Sequence, residues 1–287
     1  MARLKEVLSF INNKGGVGKT TTVQTVASGI VHCNEKARVL CIDLDPQGNL
    51  SSLLGWNERK KQFGKEVLGY TIAQALADGE DGNLPIYRKD ERIFYVPATP
   101  LLEGIDLTLN QQMQPKQVLE GLFGNPVLDH TDDPEKGIAK EGLNYVQDDF
   151  DYILIDCAPS LSVMNYNALS ASSGAIIPVE MEALSVMGLT RVIDAIKNVQ
   201  KHLNPELEIR GILPVRSDKR TRFNNEMLIG LKERYGDILF KSVIRKCVKL
   251  EEAQALVTDV IDYAPECTAA KDYMEFVKEL IATTPQG

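Results

Sequence analysis

The stretch Ile11-Asn-Asn-Lys-Gly-Gly-Val-Gly-Lys-Thr20 constrains this chain more than any other part of it. An apolar, β-prone run from Val7 to Ile11 leads into it, and a helix-period segment from Thr20 to about Cys33 follows. Strand, glycine loop and helix in that order make a phosphate-binding loop. Glycines at 15, 16 and 18 let backbone N–H groups curl around phosphate oxygens without side-chain clashes. The helix points its positive N-terminal end at the same oxygens. In this reading Gly15, Gly16, Val17, Gly18, Lys19, Thr20 and Thr21 bind a nucleotide. Lys19 reaches the β- and γ-phosphates, and Thr20 places its hydroxyl on Mg2+. The common spacing G-x-x-x-x-G-K-[ST] nevertheless fails by one residue: Asn13 stands where the first glycine belongs, and a second lysine, Lys14, follows it.

Beyond the loop, apolar runs alternate with helical segments. Further strands are expected at Ala37–Asp43, Arg92–Pro97, Asp151–Asp156, Gly174–Val179, Ile209–Val215 and Leu239–Ile244. Helices are expected at Met164–Ser172, Val186–Leu203, Asn224–Tyr235 and from about Thr268 to Ala282. Such alternation implies right-handed crossovers and an α/β fold, a mostly parallel twisted sheet with helices on both faces. Ligands of such sheets bind at the carboxyl ends of strands. One domain spanning the 287 residues is expected, with a polar, turn-rich surface insertion near 124–148.

Two acidic strand ends support the nucleotide assignment. In Cys41-Ile-Asp43-Leu-Asp45, strand alternation would put both carboxylates on one side. In Ile153-Leu-Ile-Asp156, a buried strand delivers a single carboxylate beside the metal.

Lys14-Gly-Gly-Val-Gly-Lys19-Thr-Thr, Asp43-Leu-Asp45-Pro-Gln-Gly-Asn49 and Ile155-Asp156-Cys-Ala-Pro-Ser160 together resemble the nucleotide motifs of the ParA/MinD class of deviant Walker ATPases, the ParA branch most closely. Weaker resemblance runs through Ile177-Pro-Val-Glu-Met-Glu182, Gly211-Ile-Leu and Val243 to Ala253. The resemblance implies ATP and Mg2+ as cofactors and a homodimer formed on ATP. Lys14 would cross to the phosphates of the second subunit, offsetting the repulsion between two triphosphates. Lys14, Lys19 and Asp45 would be the catalytic residues, with Asp45 orienting the attacking water. Thr20, Asp43 and Asp156 would hold the metal. Hydrolysis would be slow alone and accelerated by a ParB-like or cargo-adaptor protein. Two departures from the family pattern stand out: Arg245 and Gln254 occupy positions where proline is usual.

The net charge is -8 and the pI about 5.1, which argues against a protein coated in nucleic acid but permits a local basic face. Arg216-Ser-Asp-Lys-Arg-Thr-Arg222 and Lys241-Ser-Val-Ile-Arg-Lys-Cys-Val-Lys249 each hold four Lys or Arg. Arg220 and Lys249 align with positions where ParA relatives touch DNA backbone. Arg222, Arg245 and Lys246 join them as DNA candidates, giving nonspecific, salt-dependent binding. No signal-peptide core and no long apolar run is present, so a cytoplasmic, nucleoid-associated protein is expected. Only six residues precede the first expected strand, so the N-terminal helix-turn-helix domain of longer relatives is not expected. The amphipathic C-terminal segment is acidic rather than basic, which disfavours the alternative of a MinD-like membrane-associated regulator. The five cysteines show no C-x-x-C spacing and are expected to be reduced.

Overall fold

The computed structural model describes residues 4–63, 71–125, 128–129, 138–139, 145–218 and 220–284. Among the described residues nine strands form one sheet: β1 Glu6–Phe10, β2 Val39–Asp43, β3 Pro85–Arg88, β4 Ile93–Val96, β5 Leu128–Asp129, β6 Ile138–Ala139, β7 Tyr152–Asp156, β8 Gly174–Glu180 and β9 Glu208–Val215. Their order is β6-β5-β3-β4-β2-β7-β1-β8-β9. The run from β4 through β2, β7, β1 and β8 to β9 is parallel throughout.

Continuous apolar strands make this possible, because both faces of the parallel part are covered. Leu8, Phe10, Val39, Cys41 and Leu154 pack on one face with the helices Lys19–Cys33 and Thr268–Thr283. Leu40, Ile42, Ile153, Ile155 and Ile177 pack on the other, against the helices Ile72–Asp78, Val163–Ser170 and Ala183–His202. Each fully buried aliphatic contributes about 1.5–3 kcal/mol. The first helix lies between the sheet and the last helix, so it is buried on nearly every side. At Gly29 a Cβ would stand 2.7 Å from Val277 Cγ2, and only glycine allows that approach.

Three differences from the sequence expectations concern the sheet. Leu239–Ile244 is not a strand; it meets β9 in one isolated bridge, Ile212 with Leu239, and a second bridge, Ser217 with Arg245, lies just beyond both segments. The reason is a competing acceptor. The amides of Lys241 and Ser242 donate to the Glu279 carboxylate, at 2.8 and 3.0 Å, instead of continuing along β9. Strand β3, antiparallel to β4, was not expected. The described parts of 124–148 include β5 and β6, which extend the sheet beyond β3. The remainder of that insertion lies outside the described residues.

Candidate nucleotide site

The parallel register places the chemistry along one edge. Asp43 of β2 and Asp156 of β7 are paired residues at the carboxyl ends of adjacent strands, and Phe10 of β1 pairs with the same Asp156. The loop leaving β1 therefore rises directly beside both carboxylates. Gly16 and Gly18 take φ of 75° and 80°, which a side chain would strain. Asn12 fastens the start of the loop: its amide donates to the Pro178 carbonyl at 2.8 Å, and its Oδ1 accepts from the Lys14 amide at 3.0 Å. Asn12 is buried, and nothing in the motif marked it as a structural residue.

Lys19 is buried too. Its ammonium donates to the carbonyls of Asn12, 3.0 Å, and Lys14, 3.2 Å, so it spans the loop from within. Burial lowers its pKa, with Asp156 pulling the other way. Thr20 and Thr21 follow on the helix, and Gln254 donates to the Thr21 hydroxyl at 2.6 Å. Together with Gly15, Gly16, Gly18, Asp45 and Asn49 these residues line an open cavity of about 370 Å³. A larger cavity, about 530 Å³, lies elsewhere, beside Asp78, Asp81 and Glu120. Its carboxylates would repel a polyphosphate, so the smaller cavity is the candidate nucleotide site.

The three acids are not equivalent. Asp43 is fully satisfied: its carboxylate accepts from the Ser51 amide at 2.8 Å, the Ser51 hydroxyl at 2.7 Å and the Asp45 amide at 3.0 Å. Burial nevertheless pushes its pKa up to about 6. Asp45 lies past the end of β2, where its carboxylate accepts from the Gln47 amide at 2.9 Å and faces the cavity. Asp156 is the orphan. It is 1% exposed, and neither carboxylate oxygen has a hydrogen-bond partner among the described residues. Burial and the neighbouring Asp43 raise its pKa well above the usual range, with Thr20 and Lys19 opposing. Two buried carboxylates in register, one unpartnered, beside a threonine hydroxyl fit a divalent cation held partly through water and phosphate. No group of three or more acid, His or Cys side chains placed to hold a metal stands anywhere among the described residues, this site included, so a cation here would depend on the threonine, water and phosphate for the rest of its shell.

Lys14 is not among the residues that line this cavity. Its ammonium donates to Glu182 at 2.7 Å and lies 3.6 Å from Glu180, both past or at the end of β8. The Glu182 hydrogen bond raises the Lys14 pKa and lowers that of Glu182 in return.

The DNA candidates are brought together in part. The bridge between Ser217 and Arg245, with the Lys246 amide donating to the Ser217 carbonyl at 3.0 Å, sets the two basic segments side by side. Most of their cations have acidic partners: Arg220 with Asp218 at 2.8 Å, Arg222 with Glu226 at 2.7 Å, Lys249 with Glu252 at 2.7 Å. Arg245 is the most committed, gripping the buried Asp272 through backbone and guanidinium. Arg220 and Arg222 remain about 90% exposed, at 89% and 92%. Lys219 lies outside the described residues.

A glycine loop on an inner strand of a mostly parallel sheet, with a buried lysine and strand-end carboxylates in register, defines a P-loop nucleoside triphosphatase. The AAA domain family matches residues 5–209. The chain is 31% identical to sporulation initiation inhibitor protein Soj of Bacillus subtilis over 283 residues, covering 96% of this chain and 98% of that one. It is 30% identical to chromosome partitioning protein ParA of Caulobacter vibrioides over 279 residues, covering 96% and 94%. Its fold is similar to that of a Cyanothece McdA variant solved with ATP, TM-score 0.77 at 20% identity over 100% of both chains. Cobyrinic acid a,c-diamide synthase of Mycobacterium smegmatis, solved with an ATP analog and magnesium, gives TM-score 0.72 at 28% identity over 97% of this chain and 95% of that one. The chain belongs to the ParA/Soj family of P-loop ATPases, within the AAA domain family.

Proposed function

We propose that this ATPase binds ATP with Mg2+, pairs with a second copy of itself in that state, and uses the cycle to segregate or position plasmid or chromosomal DNA or another cargo. The observation that carries the reading is the direction of Lys14. Lys19 already supplies a buried cation to the subunit's own site, whereas Lys14 is turned to the acids at the end of β8. A loop lysine outside its own cavity is placed to serve a facing subunit, where it offsets the repulsion of two triphosphates. The Soj and ParA relatives support the partition role.

Within the site, Gly15 to Thr21 wrap the phosphates, Lys19 neutralises them, and Asp45, facing the cavity, orients the attacking water. Thr20, Asp43 and Asp156 would hold Mg2+, which would supply neutralisation of the phosphate charge. The paired basic segments bind DNA phosphates without reading sequence, and a ParB-like or adaptor protein stimulates hydrolysis.

Two other readings compete, one with an observation behind it and one with observations against it. The synthase neighbour favours a metabolic enzyme with a small-molecule acceptor. A MinD-like membrane cycle would use an amphipathic helix. Here the apolar face of Thr268–Thr283, with Ala270, Tyr273, Phe276 and Leu280, is already buried against the fold. No described helix is long and apolar enough to cross a membrane. The deciding experiment is light scattering with Mg·ATP for the wild type and Lys14→Ala, with ATPase assays plus and minus DNA. Dimers that require Lys14, and turnover raised by DNA and a partner protein, support the proposal. A wild type that stays monomeric with ATP would sink it.

A further inference from the structure

Arg216 does not sit where its sequence neighbours do. It is the residue immediately after β9, and among the described residues it is one of only two non-glycines with positive φ, at 51°. A bulky side chain holds that conformation when the surroundings demand its direction. That direction is the glycine loop. The guanidinium donates to the Gly16 carbonyl at 3.2 Å and stands 3.5 Å from Glu180. Arg220 and Arg222, from the same basic run, are engaged with Asp218 and Glu226 instead.

Arg216 lines the phosphate cavity with Lys19, Thr20 and Thr21, and also a small adjoining cavity with Gly18 and Gln254. It thus stands at the seam between the two. Its side chain is 48% exposed, tethered by one acid and one carbonyl rather than locked by packing. A planar guanidinium beside a polyphosphate cavity offers forked, charge-assisted hydrogen bonds that an ammonium cannot reproduce.

We propose that Arg216 is a nucleotide-binding residue of its own subunit, exchanging Glu180 for a phosphate oxygen of the bound nucleotide. The proposal rests on the nucleotide-site reading above. The exchange gives up a half-exposed ion pair, which is worth little, for a contact in a more enclosed site. Its division of labour with Lys14 is explicit: Arg216 acts within the monomer and Lys14 across a dimer. Glu180 touches both cations, so it is the shared counter-ion of the loop.

The test is titration of the full chain with ATP and ADP in Mg2+, alongside thermal melting and steady-state kinetics. Arg216→Gly should weaken ATP binding about 10- to 100-fold and raise KM more than it lowers kcat. Its melting temperature should hold or rise, because glycine takes this φ without strain. Arg216→Lys, which keeps the charge and loses the fork, should recover part of the affinity and serves if the glycine variant folds poorly. Glu180→Gln should tighten ATP binding. A purely structural role would lower the melting temperature and leave affinity alone. Arg216→Gly or Arg216→Lys binding ATP within about twofold of wild type, beside a Lys19→Ala that does not bind, overturns the proposal. Lys19→Ala binding normally would instead remove the nucleotide-site reading beneath it.

Discussion

Ser51→Ala is the sharpest test of how the acidic edge is held. Ser51 is buried, and its hydroxyl does two things: it donates to Asp43 at 2.7 Å and accepts from the Ala98 amide at 2.8 Å. Alanine removes a hydrogen bond to a charged group, about 1.5–3 kcal/mol, and leaves a buried amide unpaired, about 1–3 kcal/mol. The two losses share one atom, so a combined cost of about 3 kcal/mol is expected at neutral pH. That corresponds to a melting temperature lower by roughly 6–12 °C. The cost should depend on pH. The Asp43 pKa is raised in the fold, from 3.8 to about 6, so its charge opposes folding. Stability from this group is fully present below 3.8 and is lost as pH rises through about 6, a swing of about 3 kcal/mol. The Ser51 hydroxyl donates to the charged form, and without it the folded pKa climbs further. The penalty of Ser51→Ala should therefore be smaller near pH 5, where mainly the unpaired Ala98 amide contributes, and full near pH 8. Urea denaturation of the nucleotide-free protein in EDTA at both pH values measures it. A penalty below about 1 kcal/mol at pH 8, or one independent of pH, would refute this account of Asp43.

Three further expectations concern other parts of the molecule. Asp45→Ala should still bind ATP but turn over slowly and accumulate as a dimer; light scattering showing only monomer with ATP would count against Asp45 as the water-orienting residue. Arg220→Ala should weaken plasmid gel shifts at moderate salt while ATP-dependent dimerisation persists, and unchanged shifts would take Arg220 off the DNA surface. Gly29→Ala should cost about 1–3 kcal/mol in thermal or urea unfolding, because its Cβ meets Val277 at 2.7 Å; wild-type stability would mean that the last helix yields freely.

The sequence made the nucleotide loop legible because its chemistry is local. Strand, glycines, lysine and threonine are contiguous, and a buried parallel strand announces itself as a solid apolar run, as Tyr152–Asp156 does. What escaped depends on contacts between distant segments. Ser51 looks like any serine until Asp43 is folded onto it. Arg216 reads as part of a basic run, and only the turn after β9 sends it to Gly16. Leu239–Ile244 has the composition of a strand, yet Glu279, from the last helix, takes the amides that a ladder would need. Antiparallel β3 is four residues long and carries no period that marks it. Gln254 was visible as a departure from the family's proline, but its contact with Thr21 was not.

The packing of the last helix on the first has a consequence for synthesis at the ribosome. The phosphate loop is translated well before the residues its supporting helix rests on, some 250 positions later: Thr22 meets Tyr273, and Gly29 sits under Val277. Until that distal segment has emerged, the nascent chain carries a nucleotide motif with no wall behind it. Stalled chains ending before residue 268 should accordingly fail to be retained on immobilised ATP, and retention would show that the loop matures without the last helix.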